Sequence, residues 1–372
     1  MGERKYFLDW LRVLAFGFLI LFHVGMLYVS WRYNLKSPRL QPQIEPLMNA
    51  LGAFRLALLF FISGVASRFL IAKLEPRRFA LDRVRRLLPV ILFGMFVVIP
   101  PQTYVELVSK GVTHLDYLTF WFTQYLPANQ TLVAPLHKTM PTWDHLWFVV
   151  YLFCYTLLFA LFSALTGLTR SRPLRIPIAV LIAAPAIGLA AANLLIFYRF
   201  PVTDALVNDW GGHLKFFGMF VLGIACTRQE DFWDWLRRYR YVCAAIALVL
   251  LALQSRINDP YWSAVSGVYA WAAICTLCGF AAAYLNKPSV LLTHLNEAVL
   301  PIYVLHQPIL LIAAYFVFPL QLPVAAEAAV LAAITGLGSL ALYEAAIRPF
   351  RVARFLFGLK LVPGGEAFKN ID

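Results

Sequence analysis

Arg12 and His23 are the residues whose types and spacing most directly suggest chemistry. They close an otherwise apolar stretch, RVLAFGFLILFH. The distance between them corresponds to about 16 Å and about three turns of helix, so the two side chains lie on nearly the same face. Either group is costly in lipid unless it faces protein or water. The shared face therefore favours a cavity lined by both side chains. In such a cavity an imidazole can exchange a proton near neutral pH.

A structural interpretation of the same residues stays open. A lone histidine in a membrane helix is more often a core residue held by a hydrogen bond. Asp9 precedes Arg12 by three positions and can pair with the guanidinium across one helical turn. Arg12 would then anchor the end of the helix.

A second motif, FALDRVRRLLP, contains Arg83, Arg85 and Arg86. The helix that carries them is expected to begin before the arginines, with Asp82 near its N-terminus. Arg83 and Arg86 then lie one turn apart on one face, where two guanidinium groups can bind phosphates through paired hydrogen bonds. On this motif alone, an ordinary basic cluster that touches anionic lipid headgroups is the favoured explanation.

Three shorter motifs place polar residues in apolar runs. TWDHLWFVVY contains His145 and Trp147, which can anchor a helix at the membrane interface. IYVLHQP contains His306, and the proline two residues later should kink the helix and free a carbonyl. FFISG places Ser63 beside a glycine, which predicts close approach of another helix.

The elements that position these residues are predicted to be membrane-spanning helices. Of the 372 residues, 61% are hydrophobic and 14% charged, and the mean hydropathy is +0.71. A soluble domain cannot bury so much apolar surface, so the chain is predicted to be an all-α integral membrane protein. The first apolar run is long enough to span a membrane and has no small-residue cleavage site, unlike a secretory signal peptide.

Ten helices are predicted from the apolar runs. They cover residues 7–31, 47–72, 87–107, 145–168, 176–197, 207–227, 241–254, 262–285, 296–318 and 323–346. With a cytoplasmic N-terminus, 22 of the 32 lysines and arginines fall on the cytoplasmic side and 7 outside. This bias places both termini in the cytoplasm and accounts for the net charge of +13 without nucleic acid.

The chain is predicted to form a single transmembrane domain over residues 1–372, without an appended soluble domain. Its outer connection over residues 108–144 is long and contains Trp121. Loops of that length usually have a function, here as a lid or a surface that binds an acceptor. A pair of interfacial helices with no further role is the alternative. Cys275 and Cys278 form a CxxC within an apolar run and are interpreted as buried packing residues, and no metal is expected.

Together and in this order, the motifs resemble one family, the acyltransferase 3 membrane proteins. The pieces that carry the resemblance are LDWLRVLAFGFLILFH, LLFFISG, FALDRVRRLLP, HLWFVVY and IYVLHQP. WDHLWF and RPFRVARFLFGLKL most resemble the branch that contains glucan biosynthesis protein C. The family implies multi-pass acyltransferases of the bacterial inner membrane that act on outer-face acceptors, and the branch implies succinyl groups and periplasmic glucans.

The resemblance implies a mechanism across the membrane. Acyl-coenzyme A, the cytoplasmic donor, would bind with its phosphates at Arg83, Arg85 and Arg86. Its arm would pass Arg12 and bring an acetyl or succinyl thioester towards His23. His23 would act as general base on an acceptor hydroxyl or would form an acyl-histidine intermediate. Candidates that line the site are Ser63, Trp147, His145, His306 and Trp121.

Two departures from the family pattern affect these expectations. Many relatives carry a soluble domain after the last helix, so acceptor positioning here is expected from the outer loops, a second copy of the chain or a separate delivery protein. Trp10 stands where the family usually has glycine and fills space near Arg12.

Two other classes of function stay open at this point. Arg55, Lys215, His213 and His306 also fit the path of a transported ion or solute. The sequence shows no inverted repeat and no matching pair of broken helices, which disfavours a transporter. A lipid-binding scaffold that uses the cytoplasmic arginines is the third class.

The charge bias generates a topological prediction. A reporter fused after Asp372 should report the cytoplasm, because the cytoplasmic segments carry most of the lysine and arginine. The same reporter inserted within residues 108–144 should report the opposite side, and reporter activity in intact cells measures both. Cytoplasmic signals from both fusions would show that the helix count is wrong.

Overall fold

The computed structural model describes residues 5–127, 140–167, 175–197, 199–254 and 261–361, which form helices joined by turns. A helix satisfies its backbone N–H and C=O groups within its own segment, which suits an apolar chain in lipid. The helices are α1 Tyr6–Met26, α2 Glu45–Leu74, α3 Pro76–Phe93, α4 Pro100–Ser109, α5 Trp147–Thr166, α6 Ile178–Leu195, α7 Trp210–Cys226, α8 Glu230–Arg238, α9 Arg240–Gln254, α10 Tyr261–Tyr284, α11 Val290–Val317, α12 Val324–Leu342 and α13 Arg351–Leu356.

Within the described ranges, eight segments are long and apolar enough to cross a membrane. They are Tyr6–Met26, Pro42–Leu74, Pro76–Ser109, Asp144–Thr166, Ile178–Leu195, Ala264–Tyr284, Val290–Leu320 and Val324–Ile347. Two shorter apolar helices, Trp210–Cys226 and Arg240–Leu253, coincide with the sixth and seventh predicted helices. The all-helical, multi-pass membrane class is therefore confirmed. Ten crossings and two cytoplasmic termini stay predictions.

Apolar side chains on the outside of α5 agree with a lipid environment. Leu158, Leu161 and Phe162 are 52%, 58% and 55% exposed. They recur at helical spacing and form a continuous apolar stripe. In water such a stripe would favour aggregation, whereas in a bilayer it faces the acyl chains.

Several predicted boundaries were wrong, each for a local reason. The first helix ends at Met26 and not at residue 31, because Lys36 Nζ donates to Met26 O at 2.7 Å and to Val29 O at 2.6 Å. The third predicted helix starts at Pro76, so Asp82 lies inside it and not at its N-terminus. The ninth starts at Val290, six residues before the predicted position. The amphipathic helix α8 was missed because the prediction used only apolar runs, and α8 is mostly polar.

One compact unit comprises Met1–Leu19, Pro46–Leu81 and Cys154–Asn296. Within it, α2 and α7 touch through their backbones. A Cβ atom at Gly64 would lie 2.0 Å from Phe220 O, and one at Gly223 would lie 2.0 Å from Phe61 O. The close helix approach predicted from FFISG is therefore confirmed. The two cysteines of the CxxC are buried in α10, as predicted.

The second compact unit comprises Ile20–Glu45, Asp82–Phe153 and Glu297–Asp372. Its core includes Leu27 and Tyr28 just after α1, packed with Leu310, Leu311 and other apolar side chains of α11 and α12. Glu327 of α12 is fully buried. It accepts hydrogen bonds from Tyr28 Oη at 3.1 Å and Arg39 Nη2 at 2.6 Å. Burial, and then the Glu327 carboxylate, raise the pKa of Tyr28, so its hydroxyl stays a donor.

The segment after α4, called the outer segment after its predicted side of the membrane, belongs to the second unit. It forms a single helical turn, Tyr117–Phe120, followed by a π-helical turn, Trp121–Tyr125. Tyr125 is fully buried and donates its hydroxyl to Met95 O at 2.8 Å. Residues 128–139 of the predicted long loop lie outside the described residues.

The contact at Gly64 generates a prediction about stability. Gly64→Ala should lower the melting temperature in detergent, since the added methyl group overlaps Phe220 O and overpacking of this kind costs about 1–3 kcal/mol. Gly188→Ala on α6 is the matched control, because nothing lies within 4 Å of its added carbon. Equal melting temperatures for the two variants would show that α2 and α7 do not pack as described.

Candidate active site

Three histidines of the second unit meet within its membrane-spanning segments. His23 lies in the last turn of α1, His306 in α11, and His145 in the turn before α5. His306 Nε2 is 2.9 Å from His23 Nδ1, and the ring of His145 stands perpendicular to that of His306 at 5.3 Å between centroids. His306 and His145 are buried, whereas His23 is half-buried. The structure therefore brings together residues from three separate sequence motifs.

Pro308 explains why polar side chains gather along α11. Proline has no N–H, so the carbonyl of Val304, four residues earlier, loses its helical partner. His145 Nε2 lies 3.0 Å from this oxygen and donates to it, because a carbonyl only accepts. Tyr303 Oη donates in turn to the backbone carbonyl of His145. The predicted free carbonyl is confirmed, and it fastens the start of α5 to α11.

A chain of polar side chains continues from α11 towards the outer segment. Gln307 donates to Asp144 Oδ1 at 3.3 Å. Asn34 Nδ2 donates to Asp144 Oδ2 at 3.2 Å and to Glu106 Oε2 at 2.8 Å. Lys110 Nζ lies 2.6 Å from Glu106 Oε1. This chain ties the loop after α1 to α4 and α11.

Sequence reasoning missed most of this polar chain. Glu106 offered a signal, because a carboxylate within an apolar run is a candidate functional group by its position alone. Asn34 and Gln307 offered none. Each pairs with a residue more than 70 positions away, which no local pattern reports.

The histidine pair can accept a proton from a hydroxyl group. His23 is the more open member, and the half-buried ring of Tyr33 lies 6.0 Å from it between centroids. His306 has no exposed surface, so water does not compete for its hydrogen bond to His23. A half-open imidazole supported by a buried one is suited to general-base chemistry.

Arg12 lies on the same continuous helix as His23 but belongs to the first unit. Its Nη1 is 3.3 Å from Asp9 Oδ1 and 3.0 Å from Asn296 Oδ1. The pairing with Asp9 predicted from the spacing is confirmed. Arg12 therefore links the start of α1 to α11 through Asn296.

The three arginines of the second motif differ in their surroundings. Arg83 forms an ion pair with Asp82, its neighbour in sequence. Arg86 Nε donates to Gly358 O at 3.1 Å, which ties α3 to the turn after α13. Arg85 is exposed. All three lie on α3, as predicted, but two of them also have partners within the protein.

The remaining candidates lie in different surroundings. Ser63 lies in the first unit, beside the contact at Gly64. Trp147 begins α5, and its ring packs against Tyr151 at 5.2 Å between centroids. Trp121 donates its indole N–H to Phe96 O at 3.0 Å, so it attaches the outer segment to the turn between α3 and α4. None of these contacts assigns a chemical role.

The residues that suggested a transport path fall in both units. Arg55 is buried on α2, and Lys215 lies in a π-helical turn of α7. His213 in the same turn accepts from Tyr155 Oη at 2.9 Å and donates to Leu206 O at 2.7 Å. His306 belongs to the second unit and pairs with His23.

A metal site in the described parts of the chain would need several ligating side chains close together. Among these residues, no three His, Cys, Asp or Glu side chains group as a metal site requires. His145 Nε2 and His306 Nδ1 each face a backbone carbonyl oxygen, at 3.0 Å and 2.5 Å. These nitrogens are therefore used for hydrogen bonds within the protein.

Comparison with known proteins assigns the chain to a family. The sequence profile Acyl_transf_3, described as an acyltransferase domain, matches residues 5–344. Glucans biosynthesis protein C of Shigella dysenteriae serotype 1 (strain Sd197) is 23% identical over 341 residues, which cover 86% of this chain and 85% of the relative. The protein of the same name from Salmonella schwarzengrund (strain CVM19633) is 23% identical over 342 residues, with the same coverage.

No solved structure was found to match the chain. The family profile covers most of the sequence and includes His23, His145 and His306, the three histidines that meet in the second unit. It favours the acyltransferase interpretation over a transporter or a scaffold. The chain belongs to the acyltransferase 3 family and is a membrane acyltransferase that transfers groups other than aminoacyl groups.

Proposed function

We propose that the protein transfers an acetyl or succinyl group from acyl-coenzyme A to a hydroxyl group of a glycan at the outer face of the bacterial inner membrane. The observation that carries the proposal is the hydrogen bond between His23 and His306, in a chain whose family is that of membrane acyltransferases. The relatives named glucans biosynthesis protein C support a glycan acceptor.

His23 acts as the base in this reaction. It removes the proton from the acceptor hydroxyl while the oxygen attacks the thioester carbonyl. The new C–O bond forms, the C–S bond breaks, and the coenzyme A thiolate takes up the proton from the imidazolium. An acyl-histidine intermediate is a second form of the same proposal, in which His23 first receives the acyl group and the acceptor then removes it.

The donor binds from the cytoplasm at the arginines of α3. Arg83, Arg85 and Arg86 bind its phosphates, and the basic character of the flanking segment supports this placement. Each guanidinium has five N–H donors, so one internal hydrogen bond does not use up its capacity. Arg12 positions the pantetheine arm along α1.

The acceptor arrives from the outer side. Trp121 offers an indole ring in the outer segment, and sugar rings commonly pack on aromatic faces. Its hydrogen bond to Phe96 O holds that ring in place. A separate delivery protein or a second copy of the chain completes acceptor binding.

The role of His23 generates a prediction. His23→Ala should reduce acyl transfer by about 10²–10⁴-fold, the usual contribution of a general base, and should leave acyl-coenzyme A binding unchanged. Transfer of a labelled acyl group to a glucan oligosaccharide by purified protein measures the rate. The control is His114→Ala, an exposed histidine of the outer segment. If folded His23→Ala protein transfers the acyl group at a near-normal rate, His23 is only a packing residue and the proposal is wrong.

The arginine cluster generates a second prediction. Arg83→Ala/Arg86→Ala should weaken acyl-coenzyme A binding at least about tenfold, because charge-assisted hydrogen bonds contribute about 1.5–3 kcal/mol. Titration calorimetry in detergent measures the affinity.

The matched control is Arg77→Ala/Arg78→Ala, which removes two exposed charges from the same helix. The melting temperature of each variant is compared with that of the wild type, since Arg86 also holds Gly358 O. If both double variants bind acyl-coenzyme A with equal affinity, Arg83 and Arg86 contribute only to the general positive charge of α3.

A further inference from the structure

His306 makes two hydrogen bonds that together constrain the protons on His23. Its Nδ1 lies 2.5 Å from Tyr303 O, and its Nε2 lies 2.9 Å from His23 Nδ1. The two ring planes are 20° apart, with 4.9 Å between centroids. Face-to-face stacking would keep the atoms about 3.5 Å apart, so the 2.9 Å contact means that the rings meet edge to edge.

The first hydrogen bond fixes the proton on His306. A backbone carbonyl oxygen only accepts, so Nδ1 of His306 must carry hydrogen. In neutral His306 the other nitrogen, Nε2, then has a lone pair and accepts. The hydrogen in the bond to His23 must therefore come from His23 Nδ1. Neutral His23 is left with its lone pair on Nε2.

We propose that His306 is a positioning residue for the reaction: it holds neutral His23 in the tautomer with hydrogen on Nδ1, so that Nε2 is the base. This inference rests on the proposed function of His23. When Nε2 takes the proton from the acceptor hydroxyl, His23 becomes a cation. Its Nδ1–H bond to His306 then becomes charge-assisted and stabilises that cation.

The other groups around the pair are consistent with this role. His145 faces His306 from α5, but its Nε2–H is directed to Val304 O. Tyr303 directs its hydroxyl to the His145 carbonyl, and Tyr33 faces His23 from the loop after α1. The nearby carboxylate of Asp144 is bonded to Gln307. Among these described contacts, the partner of His23 Nδ1 is His306.

The test separates positioning from packing. His306→Gln keeps an oxygen that can accept from His23 Nδ1, whereas His306→Leu removes the acceptor at similar volume. With labelled acetyl-coenzyme A and a glucan oligosaccharide, His306→Leu should lower kcat by about 10²-fold or more with little change in KM for acetyl-coenzyme A. His306→Gln should recover much of the loss. His294→Leu, elsewhere on α11, is the control.

A second measurement does not depend on activity. Solid-state NMR of ¹⁵N-histidine-labelled wild-type protein, with His23 assigned through the His23→Ala variant, reports which ring nitrogen carries hydrogen. Hydrogen on Nδ1 in the wild type, lost or mixed in His306→Leu, supports the tautomer part of the inference independently of the catalytic role of His23. Hydrogen on Nε2 of wild-type His23, or equal kcat in His306→Leu and wild type, would overturn it.

Discussion

The missing N–H of Pro308 is the constraint on which the second unit's polar cluster is built. It exposes the carbonyl of Val304 inside a membrane-spanning helix, and an unpaired carbonyl in lipid costs several kcal/mol. His145 satisfies this oxygen, and Tyr303 satisfies the carbonyl of His145. His306 donates to another carbonyl of α11, that of Tyr303, and reaches His23. Together these hydrogen bonds link α1, α11 and the start of α5 beside the carbonyl that the proline frees.

The sequence predicted those structural features whose physical cause lies within a short stretch of the chain. Hydropathy located the long helices, FFISG indicated the contact at Gly64, and the three-residue spacing indicated the pair of Asp9 and Arg12. Pro308 indicated a freed carbonyl but not the side chain that satisfies it. His145 lies 159 positions from Val304, and His23 lies 283 positions from His306. Pairs so distant depend on the packing of whole helices, which one sequence does not encode in any short pattern. The end of α1 was misplaced for a different and local reason, since Lys36 of the following loop closes the helix.

The arginines of α3 illustrate how a structural and a functional role can share one residue. Arg83 pairs with Asp82 in a partly exposed position, where an ion pair contributes about 0–1 kcal/mol. A phosphate that offers several charged oxygens can replace such a partner at small cost. Arg86 uses Nε for Gly358 O, and this bond fixes the direction of its guanidinium. Internal partners of this strength therefore orient the side chains without making them inaccessible to a donor.

The unequal burial of His23 and His306 fits the roles proposed for them. A base must meet its substrate, and His23 is half-buried at the end of α1. A group that sets the tautomer of that base must keep its own protons fixed, and His306 is fully buried with Nδ1 held by a backbone carbonyl. If His306 were open to water, its tautomers would exchange and those of His23 would follow. The arrangement thus resembles the logic of a catalytic triad, in which a buried partner orients the histidine that touches the substrate. Here the partner is an imidazole and not a carboxylate, and an isolated buried carboxylate would be costly in lipid.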